Sequence, residues 1–586
     1  MRRLLFPFLL LLMAPCAQAT VHLAASCSST DVQTKLTAAV AGDTVQIPNG
    51  SCTWTSAVTF SNKTIHLTAE NQAVPQNVTI TFQVNSGIQT GTSNLSRVSY
   101  LKLVTETGTS WTNIINVRGR SFRADHNTFE YQSGGPYTRV GIYFNGGIAG
   151  VLSPDGVVDN NTFTNMRVVY HGDLGLSGQM TIWNEASTIT SPSTTTGVVY
   201  VESNTFTVQT PSANNFIDAN LGGRYVFRYN TVSNAVLEAH SVQGEHRGTK
   251  SWEIYNNTMT AISSVPSHGT FLRGGTGIMF GNTYDTNYVT SPIILDNRRS
   301  FTDYSTPPDG CNNTSDWDGN TTVGWPCRDQ IGRGPDSSLW SDTSSPYSPA
   351  PPSQPSLPAY FFVNTRNGVQ VNPSVTNCTS AVKSNGSCAD IVSNRDYYAY
   401  TSTFDGTSGT GRGTFAARPA TCTTGVAYQA SNQSDKIYKC TATDTWTELW
   451  SAADYPHVLR GEDPAPPPGN PGVALTPAGG TIDFGTVNVG TVATSQNITL
   501  TNNGDAALTI TSIALTTGTH FSISHNCALT PSTVAASGTC TITVVGFPKS
   551  AGMLTDSVVV TSDASTSPDN GAVSVTGKQV ILIRRN

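Results

Sequence analysis

The sequence predicts an all-β protein, in which a right-handed parallel β-helix is followed by a C-terminal β-sandwich. Three observations favour this class: a recurring Asn-Thr pair, short runs rich in Val, Ile, Phe and Tyr, and alternating strands at the C-terminal end. Helical repeats would instead show an apolar period of about 3.6 residues. Charged residues make up 12% of the chain. Such a low share, with many small polar and β-branched residues, fits a β-rich exported protein.

The Asn-Thr pair recurs at nearly regular steps. From one Asn to the next, the steps are 34, 43, 26, 27 and 25 residues. The last three steps are nearly constant, as expected for one turn of a solenoid, and the two longer ones predict an insertion or an extra coil. The asparagines of these pairs are Asn127, Asn161, Asn204, Asn230, Asn257 and Asn282.

The repeated pair predicts one corner of each coil. Coils of a parallel β-helix stack about 4.8 Å apart. We expect each Asn to adopt a left-handed conformation and to hydrogen-bond its equivalent on the next coil. The large residue two positions after the Asn would point inward and stack in the core. These residues are Phe129, Phe163, Phe206, Val232, Met259 and Tyr284.

The segment before the repeats predicts an N-terminal cap. A short helix with apolar Val32, Leu36 and Val40 precedes "GDTVQIPNG". This segment resembles the N-terminal capping helix and first coil of pectate-lyase-like β-helix proteins, and with the repeats the resemblance covers residues 25–302. It implies the fold rather than one activity, because this fold carries lyases, hydrolases, esterases, epimerases and phage adhesins.

The first residues predict export. Two arginines, an apolar run and an A-x-A site indicate a secretory signal peptide over residues 1–19. No later segment approaches the length of about 20 apolar residues that a bilayer requires. We therefore expect a secreted, extracellular protein without membrane insertion, with the cell surface or the periplasm as the alternative. The formal net charge of −6, without a basic field, argues against nucleic acid as a partner.

The cysteines agree with export. Apart from Cys16, they fall along the chain as close neighbours, which predicts disulfides between sequential pairs. None has the tight spacing of a zinc or redox motif. The predicted pairs are Cys27–Cys52, Cys311–Cys327, Cys378–Cys388, Cys422–Cys440 and Cys527–Cys540.

Changes of composition predict the domain boundaries. The repeat ends after Tyr304, so we assign the β-helix, with a disulfide-closed loop, to residues 20–342. A Pro/Ser-rich connector and a small disulfide-stapled β appendage are predicted over residues 343–461. A Pro-rich linker over residues 462–472 is expected to be stiff and to separate two domains.

The C-terminal domain is predicted over residues 473–586 as an Ig-like β-sandwich, because turn signals separate its strands every ~8–12 residues. The pattern "DFGTVNVG…ITLTNNGDAALTI…C…GTCTITV" resembles the Ig-like domains called choice-of-anchor D or ASH-type. That resemblance implies a spacer or adhesion module without catalysis, which could contact a cell surface or matrix.

One predicted sheet concentrates the ionisable groups of the solenoid. The strands that follow the Asn-Thr corners can be aligned with Ile217, Leu237 and Leu272 facing the core. Because alternate residues of a strand face opposite sides, the outward set is then strongly polar. It comprises His171, Asp218, Asn220, Glu238, His240, Arg273, Asp296 and Arg298.

Two carboxylates would lie on neighbouring coils of this sheet. The backbones of Asp218 and Glu238 are expected about 4.8 Å apart. Carboxylates so close raise each other's pKa or demand a cation. Three arrangements stay open: Ca²⁺ bound by both residues, an acid and nucleophile pair as in retaining glycosidases, or a structural ion ladder with Arg273 and Arg298.

The loop "HSVQGEHRGTK" adds further charged residues next to Glu238. A β-elimination on a uronic acid needs a base at C5, a group that stabilises the carboxylate, and an acid for the leaving oxygen. The catalytic candidates are Glu238, His240, Arg247, Lys250 and Arg273. The substrate-binding candidates are His171, Asn220, His246, Arg298 and Trp183. Structural ion pairs, a hydrogen-bonded histidine and a solvated loop are the alternative explanations.

The expected function is a secreted polysaccharide lyase that cleaves an anionic, uronate-containing polysaccharide by β-elimination. This expectation depends on the resemblance together with the polar set, since pectate-lyase-like enzymes often combine acidic clusters for Ca²⁺ with a basic residue as base. A glycoside hydrolase that uses Asp218 and Glu238 is one alternative. A non-catalytic surface adhesin or glycan-binding protein is the other.

Overall fold

The computed structural model divides into two compact units, Met1–Gly461 and Glu462–Asn586. The predicted signal peptide falls almost entirely outside the described residues. No helix within the described ranges is long and apolar enough to cross a bilayer. The structure describes residues 19–92, 95–105, 113–132, 139–146, 154–172, 197–209, 215–240, 248–262, 268–289, 291–296, 330–334, 355–375, 391–460, 473–477, 481–503, 508–535, 538–564 and 567–579.

The first unit is a parallel β-helix, as the sequence predicts, and its coils build three long sheets. Sheet 1 has the strands Val21–Leu23, Thr44–Ile47, His66–Ala69, Arg97–Ser99, Phe122–Asp125, Gly156–Asp159, Val199–Glu202, Arg224–Arg228, Ser251–Tyr255, Thr276–Phe280, Ala359–Phe361 and Tyr397–Tyr398. Sheet 2 has the strands Val58–Thr59, Ile88–Gln89, Asn113–Val117, Arg139–Asn145, Met166–His171, Asn215–Asn220, Val236–Ala239, Thr270–Leu272, Ile293–Leu295 and Ser374–Val375. Sheet 3 has the strands Gly50–Trp54, Val78–Phe82, Lys102–Thr105, Thr128–Tyr131, Thr162–Thr164, Thr205–Thr207, Thr231–Ser233, Thr258–Thr260, Thr283–Tyr284, Asn364–Arg366 and Val369–Val371.

A helix caps the N-terminal end of the solenoid, over Ser29–Ala38. It begins after Ser28, whose hydroxyl accepts a hydrogen bond from the Asp31 amide. Val32 and Leu36 are completely buried, as expected for the inner face of the cap. Val40 differs from the prediction: it lies beyond the helix end and is 61% exposed.

The predicted asparagine ladder is present along the corner that precedes sheet 3. In each rung, the side-chain amide and the backbone N–H of one Asn donate to the Oδ1 of the next, as between Asn204 and Asn230. Asn230 repeats both bonds to Asn257. Each rung also satisfies backbone groups that the turn would leave unpaired inside the protein. The residues that follow stack inside, and the rings of Phe129, Phe163 and Phe206 lie nearly parallel.

The left-handed residue at each corner is the one before the ladder Asn, and not the Asn itself as predicted. Examples are His126, with φ 55°, and Tyr229, with φ 55°. The physical reason is that the Asn side chain must point along the solenoid axis to reach its neighbour. The preceding residue therefore takes the left-handed conformation that turns the chain.

The solenoid continues beyond the predicted boundary at residue 342. Strands Ala359–Phe361 and Asn364–Arg366 add to sheets 1 and 3, and Ser374–Val375 adds to sheet 2. Asn364 accepts from Asn282, so the ladder has a further rung 82 positions later in the chain. The predicted β appendage therefore starts later than residue 343, because residues 359–375 form another coil.

A four-stranded sheet does follow, formed by Thr410–Gly413, Ala427–Ala430, Lys436–Ala442 and Thr445–Trp450. The short 3-10 helices Phe415–Ala417 and Val458–Arg460 lie in the same region. The sheet packs on the outer face of sheet 1, where the Trp450 ring contacts Tyr255 and Phe280 at centroid distances of 5.6 Å. These contacts bury apolar side chains that would otherwise be exposed on sheet 1.

The last residues of the first unit bind along sheet 1 through buried charges. The Arg228 guanidinium donates to the carbonyls of Ala453 and Asp454 and pairs with Glu202. Glu202 also pairs with Arg460 and accepts from the amide of His457. Buried charges are tolerated only when they are paired, and here their partners come from both the segment and the solenoid.

The second unit is a β-sandwich of two four-stranded sheets in the described residues. One sheet contains Ala474–Thr476, Gln496–Thr501, Thr539–Gly546 and Phe521–His525. The other contains Ile482–Asn488, Asp569–Lys578, Gly552–Ser562 and Ile510–Leu515. Its core is separate from those of the first unit.

Three predicted disulfides are present: Cys27–Cys52, Cys422–Cys440 and Cys527–Cys540. Each joins neighbours in the sequence, as predicted. The pairs Cys311–Cys327 and Cys378–Cys388 lie outside the described residues, so they stay predictions.

Candidate functional site

The outer face of sheet 2 carries the predicted polar set. Asp218 pairs directly with Glu238, and Ile217 pairs with Leu237. Ile217, Leu237 and Leu272 are completely buried in the core. Alternation therefore places Asp218, Glu238 and the residues two positions later on the outside, in the register that the sequence predicts.

Asp218, His240 and Glu238 form the centre of the site. His240 Nδ1 lies 2.5 Å from Asp218 Oδ1, and its Nε2 lies 3.7 Å from Glu238 Oε1. Neither Nδ1 nor Oδ1 makes a hydrogen bond of regular geometry with any described residue. The short distance directs Nδ1 towards Asp218 and leaves Nε2 on the other side of the ring.

Two guanidinium groups balance the two carboxylates. Arg273 pairs with Glu238 Oε1 from the next coil. Arg167 Nη1 lies 3.5 Å from Asp218 Oδ2 and donates to Asn215 at 2.6 Å. Asn215 in turn donates to Glu238 Oε2 at 2.6 Å. The result is a closed network in which no carboxylate depends on a single partner.

Burial divides the network into a covered part and an accessible part. Asp218 is 2% exposed and lies at the bottom of the cluster. The side chains of His240 and Glu238 are 19% and 14% exposed. Approach from solvent therefore reaches His240 and Glu238, while Asp218 supports them from beneath.

Two neighbouring rings are held neutral. Burial, with the charges of Glu238 and Asp218, raises the pKa of Tyr225 well above its usual range, so its hydroxyl stays a donor. That hydroxyl donates to the Glu238 carbonyl at 3.3 Å. Burial lowers the pKa of His268 to about 4, and its ring contacts that of Phe271 at a tilt of 41°. His268 thus adds no positive charge at neutral pH.

The remaining predicted site residues differ in how deeply they are buried. Lys250 is completely buried just before the strand Ser251–Tyr255, where its amide donates to the carbonyl of Gly223, so it does not project from a loop as expected. His171 and Asn220 are the last residues of two neighbouring strands of sheet 2 and pair with each other, and Asn220 is 7% exposed. Asp296 is 1% exposed. The remaining candidates lie outside the described residues: Trp183, His246, Arg247 and Arg298.

Sequence reasoning missed two members of the network, Arg167 and Asn215. Arg167 could have been found, because it precedes the inward Val168 and alternation places it outside. Asn215 could not, because it lies two positions before the inward Ile217. The register shifts between Asn215 and Ile217, and this irregularity turns the Asn215 side chain out of the core.

Asp218, Glu238 and His240 also form the candidate metal cluster of the described residues. One ligand atom from each lies within 4.8 Å of the others. The donor set contains one imidazole nitrogen and two carboxylates. Both carboxylates are already paired with arginine.

Comparison with known proteins identifies a family for the C-terminal part of the chain. Residues 471–570 match the family model ASH, described as "Abnormal spindle-like microcephaly-assoc'd, ASPM-SPD-2-Hydin". This match confirms the ASH-type, Ig-like part of the prediction. No pectate-lyase family model matches the chain. No curated protein matches it in sequence.

Similarity to solved structures is slight. A protein of unknown function from Porphyromonas gingivalis W83 is 11% identical over 24% of this chain and 61% of its own, with a TM-score of 0.16. The secreted serine protease VesC from Vibrio cholerae is 10% identical over 26% of this chain and 34% of its own, with a TM-score of 0.15. The VesB protease of the same organism is 14% identical over 25% of this chain and 41% of its own, with a TM-score of 0.14. The chain spans less than two thirds of each, and TM-scores this low carry no argument.

Proposed function

We propose that the β-helix is a polysaccharide lyase that cleaves an anionic, uronate-containing polysaccharide by β-elimination. The observation that carries this proposal is His240, held between Asp218 and Glu238 beside Arg273 on an accessible sheet face. The reaction requires a base, a cation that stabilises the carboxylate and an acid for the leaving oxygen, and one histidine can serve as both base and acid. The pectate-lyase-like features of the N-terminal cap and the repeats support the same class.

In the proposed mechanism, His240 is the acid and base. Its Nε2 removes the proton from C5 of a uronate, while Asp218 holds Nδ1 and stabilises the imidazolium that forms. Arg273 lies beside this position and attracts the uronate carboxylate, whose charge grows as C5 loses its proton. The C4–O bond then breaks, a C4–C5 double bond forms, and Nε2 returns the proton to the leaving oxygen.

Of the bases that the sequence suggested, His240 fits best. Lys250 is completely buried, and a catalytic base must touch its substrate. Arg273 pairs with Glu238, and its planar guanidinium can donate two hydrogen bonds to a carboxylate, so it suits the role of carboxylate binder.

A glycoside hydrolase receives less support from the same residues. A retaining hydrolase needs two carboxyl groups that both reach the sugar. Asp218 is 2% exposed and lies beneath His240. Glu238 alone is accessible, and it is paired with Arg273 and Asn215.

We further propose that the reaction does not use Ca²⁺. Calcium prefers about six to eight oxygen ligands. Here one of the three candidate donors is an imidazole, and Arg167 and Arg273 already compensate the carboxylates. We expect the rate to be the same with EGTA as with added CaCl₂. A loss with EGTA that Ca²⁺ alone restores would contradict this.

The experiment that tests the function is product analysis on pectate, alginate and glycosaminoglycans. We expect ultraviolet-absorbing unsaturated uronate ends on at least one of them. New reducing ends without unsaturation would instead show a hydrolase. Binding without any product would show a glycan-binding protein, and either result would overturn the lyase.

A further inference from the structure

The same outer face extends away from the site toward the N-terminal coils. Asn116 pairs with Tyr143, and Asn145 pairs with His171. The inward residues between them, Val117 and Phe144, are completely buried. Asn116, Arg118, Tyr143 and Asn145 are therefore all on the outside, and each is partly exposed.

Arg118 has no carboxylate partner among the described residues, unlike most arginines of the solenoid. No described residue offers its guanidinium a carboxylate or a carbonyl, and its Nε, like that of Arg139, is buried without a hydrogen-bond partner. Most other described arginines of these coils pair with a carboxylate. They are Arg97, Arg120, Arg123, Arg167, Arg228 and Arg273.

The described residues around Arg118 offer it acceptors and donors but no negative charge. Asn116 Oδ1 is buried without a hydrogen-bond partner among the described residues. The Tyr143 hydroxyl lies 2.9 Å from His171 Nδ1, and burial raises its pKa to about 12, so it is neutral. A half-buried guanidinium without a counter-ion is unfavourable, and a bound anion would relieve that cost.

Arg118 and His240 lie in one row of outward positions along the solenoid axis. The row of outward positions runs from Arg118 past Asn145, His171 and Asn220 to His240, which is four coil steps. At about 4.8 Å a step, Arg118 lies about 19 Å from His240 along the solenoid axis. A linear polymer lying along the axis would reach both positions.

We propose that Arg118, with Tyr143 and Asn116, forms a remote subsite for a second acidic group of the polymer, a carboxylate or a sulfate. This inference depends on the proposed function, because the polymer that it binds is the substrate of the His240 site. The subsite requires charge on more than one sugar, so chains of consecutive acidic residues bind better than chains with isolated ones. Arg118 selects by charge and touches no reacting atom.

The test is calorimetric titration of the full-length protein with a hexamer of galacturonate and with its methyl ester, in a His240→Gln background that prevents cleavage, while product formation is measured with His240 present. We expect Arg118→Gln to weaken binding of the acidic hexamer about tenfold, the loss of one charged hydrogen bond. The methyl ester should bind both proteins equally. Lys102→Gln is the matched control, because it removes a positive charge from sheet 3, where Lys102 pairs with Glu130. It should bind as the wild type does.

Arg118→Lys separates charge from folding, since it keeps the cation and should retain most of the affinity. Equal affinity of the wild type and Arg118→Gln for the acidic hexamer would overturn the subsite. Formation of unsaturated product would still support the lyase in that case. A tenfold loss without product from either protein would support the subsite and contradict the lyase. If the wild type does not bind the hexamer, the subsite is overturned for uronates. The wild type and Arg118→Gln are then titrated with a sulfated hexamer, and equal affinities would overturn the subsite for sulfate as well.

Discussion

A partly buried histidine of sheet 1 makes the stability of the β-helix depend on pH. His66 Nε2 lies 2.7 Å from Ser99 Oγ. Burial, with the charge of Arg97, lowers its pKa from 6.5 to about 4. Between these values the unfolded chain binds a proton that the folded protein does not, so stability falls as the pH drops through this window.

Between these pH values the wild type should lose up to about 3 kcal/mol of its free energy of unfolding through His66, and we expect His66→Gln to remove this loss. The measurement is the free energy of unfolding of the first unit in urea at several pH values between about 4 and 6.5. His520→Gln, in the second unit, is the control. The same pH slope in the wild type and in His66→Gln would show that another group causes it.

At the same scale, the sequence predicts the site only where strands are regular. Alternation in sheet 2 is sufficient to place Asp218, Glu238 and Arg273 on one face. It fails at Asn215, because one irregular position reverses the direction of a side chain. The full burial of Lys250 also escapes prediction, since it depends on how a turn folds back onto the neighbouring coil.

The asparagine ladder is the element that holds the coils in register. Asn230 is 1% exposed, and its amide donates to the carbonyls of Val201 and Arg228. Its Oδ1 accepts the amide of Asn204. Substitution by Ala removes these partners and leaves buried polar groups unsatisfied.

We expect Asn230→Ala to destabilise the first unit by about 2–5 kcal/mol, because several buried groups lose their partners. Thr231→Ala, at the exposed next position, should change stability by less than about 0.5 kcal/mol. Chemical denaturation of both variants measures the difference. Equal stabilities would mean that the ladder contributes no net free energy.

The Asn-Thr repeat predicts the coils of the solenoid well where successive pairs are evenly spaced, and it fails where a long insertion separates two pairs. The coils from Asn204 to Asn282 have nearly constant length, so the period is visible in the sequence. The next rung, Asn364, follows a long insertion that hides it. The pair Asn364-Thr365 repeats the same signal, but Arg366 stands where the other coils carry a large apolar residue. Without that residue, the pair alone is too short to identify.

At the scale of the whole molecule, the two units have separate apolar cores. We expect two thermal transitions. Replacing Cys527 and Cys540 by Ala should lower only the transition of the second unit, because their disulfide closes a loop within it. The loss should be about 3 kcal/mol, as estimated for loops of similar length.

Calorimetry checks this prediction. Replacing Cys27 and Cys52 by Ala is the reciprocal control, and it should lower only the transition of the first unit. A single transition that shifts with either pair would mean that the units unfold together.

All residues of the proposed catalytic network belong to the first unit, so the central claim is that one histidine of the β-helix performs the chemistry. Turnover by His240→Gln tests it most directly, with His268→Gln, a partly exposed neighbour just before the strand Thr270–Leu272, as the control. We expect His240→Gln to lower kcat on the cleaved uronate polymer by about 10²–10⁴-fold, the usual contribution of an acid or base. His268→Gln should retain wild-type kcat within about threefold, because a substitution outside the reacting groups removes no transition-state contact. Undiminished formation of unsaturated product by His240→Gln would contradict the account.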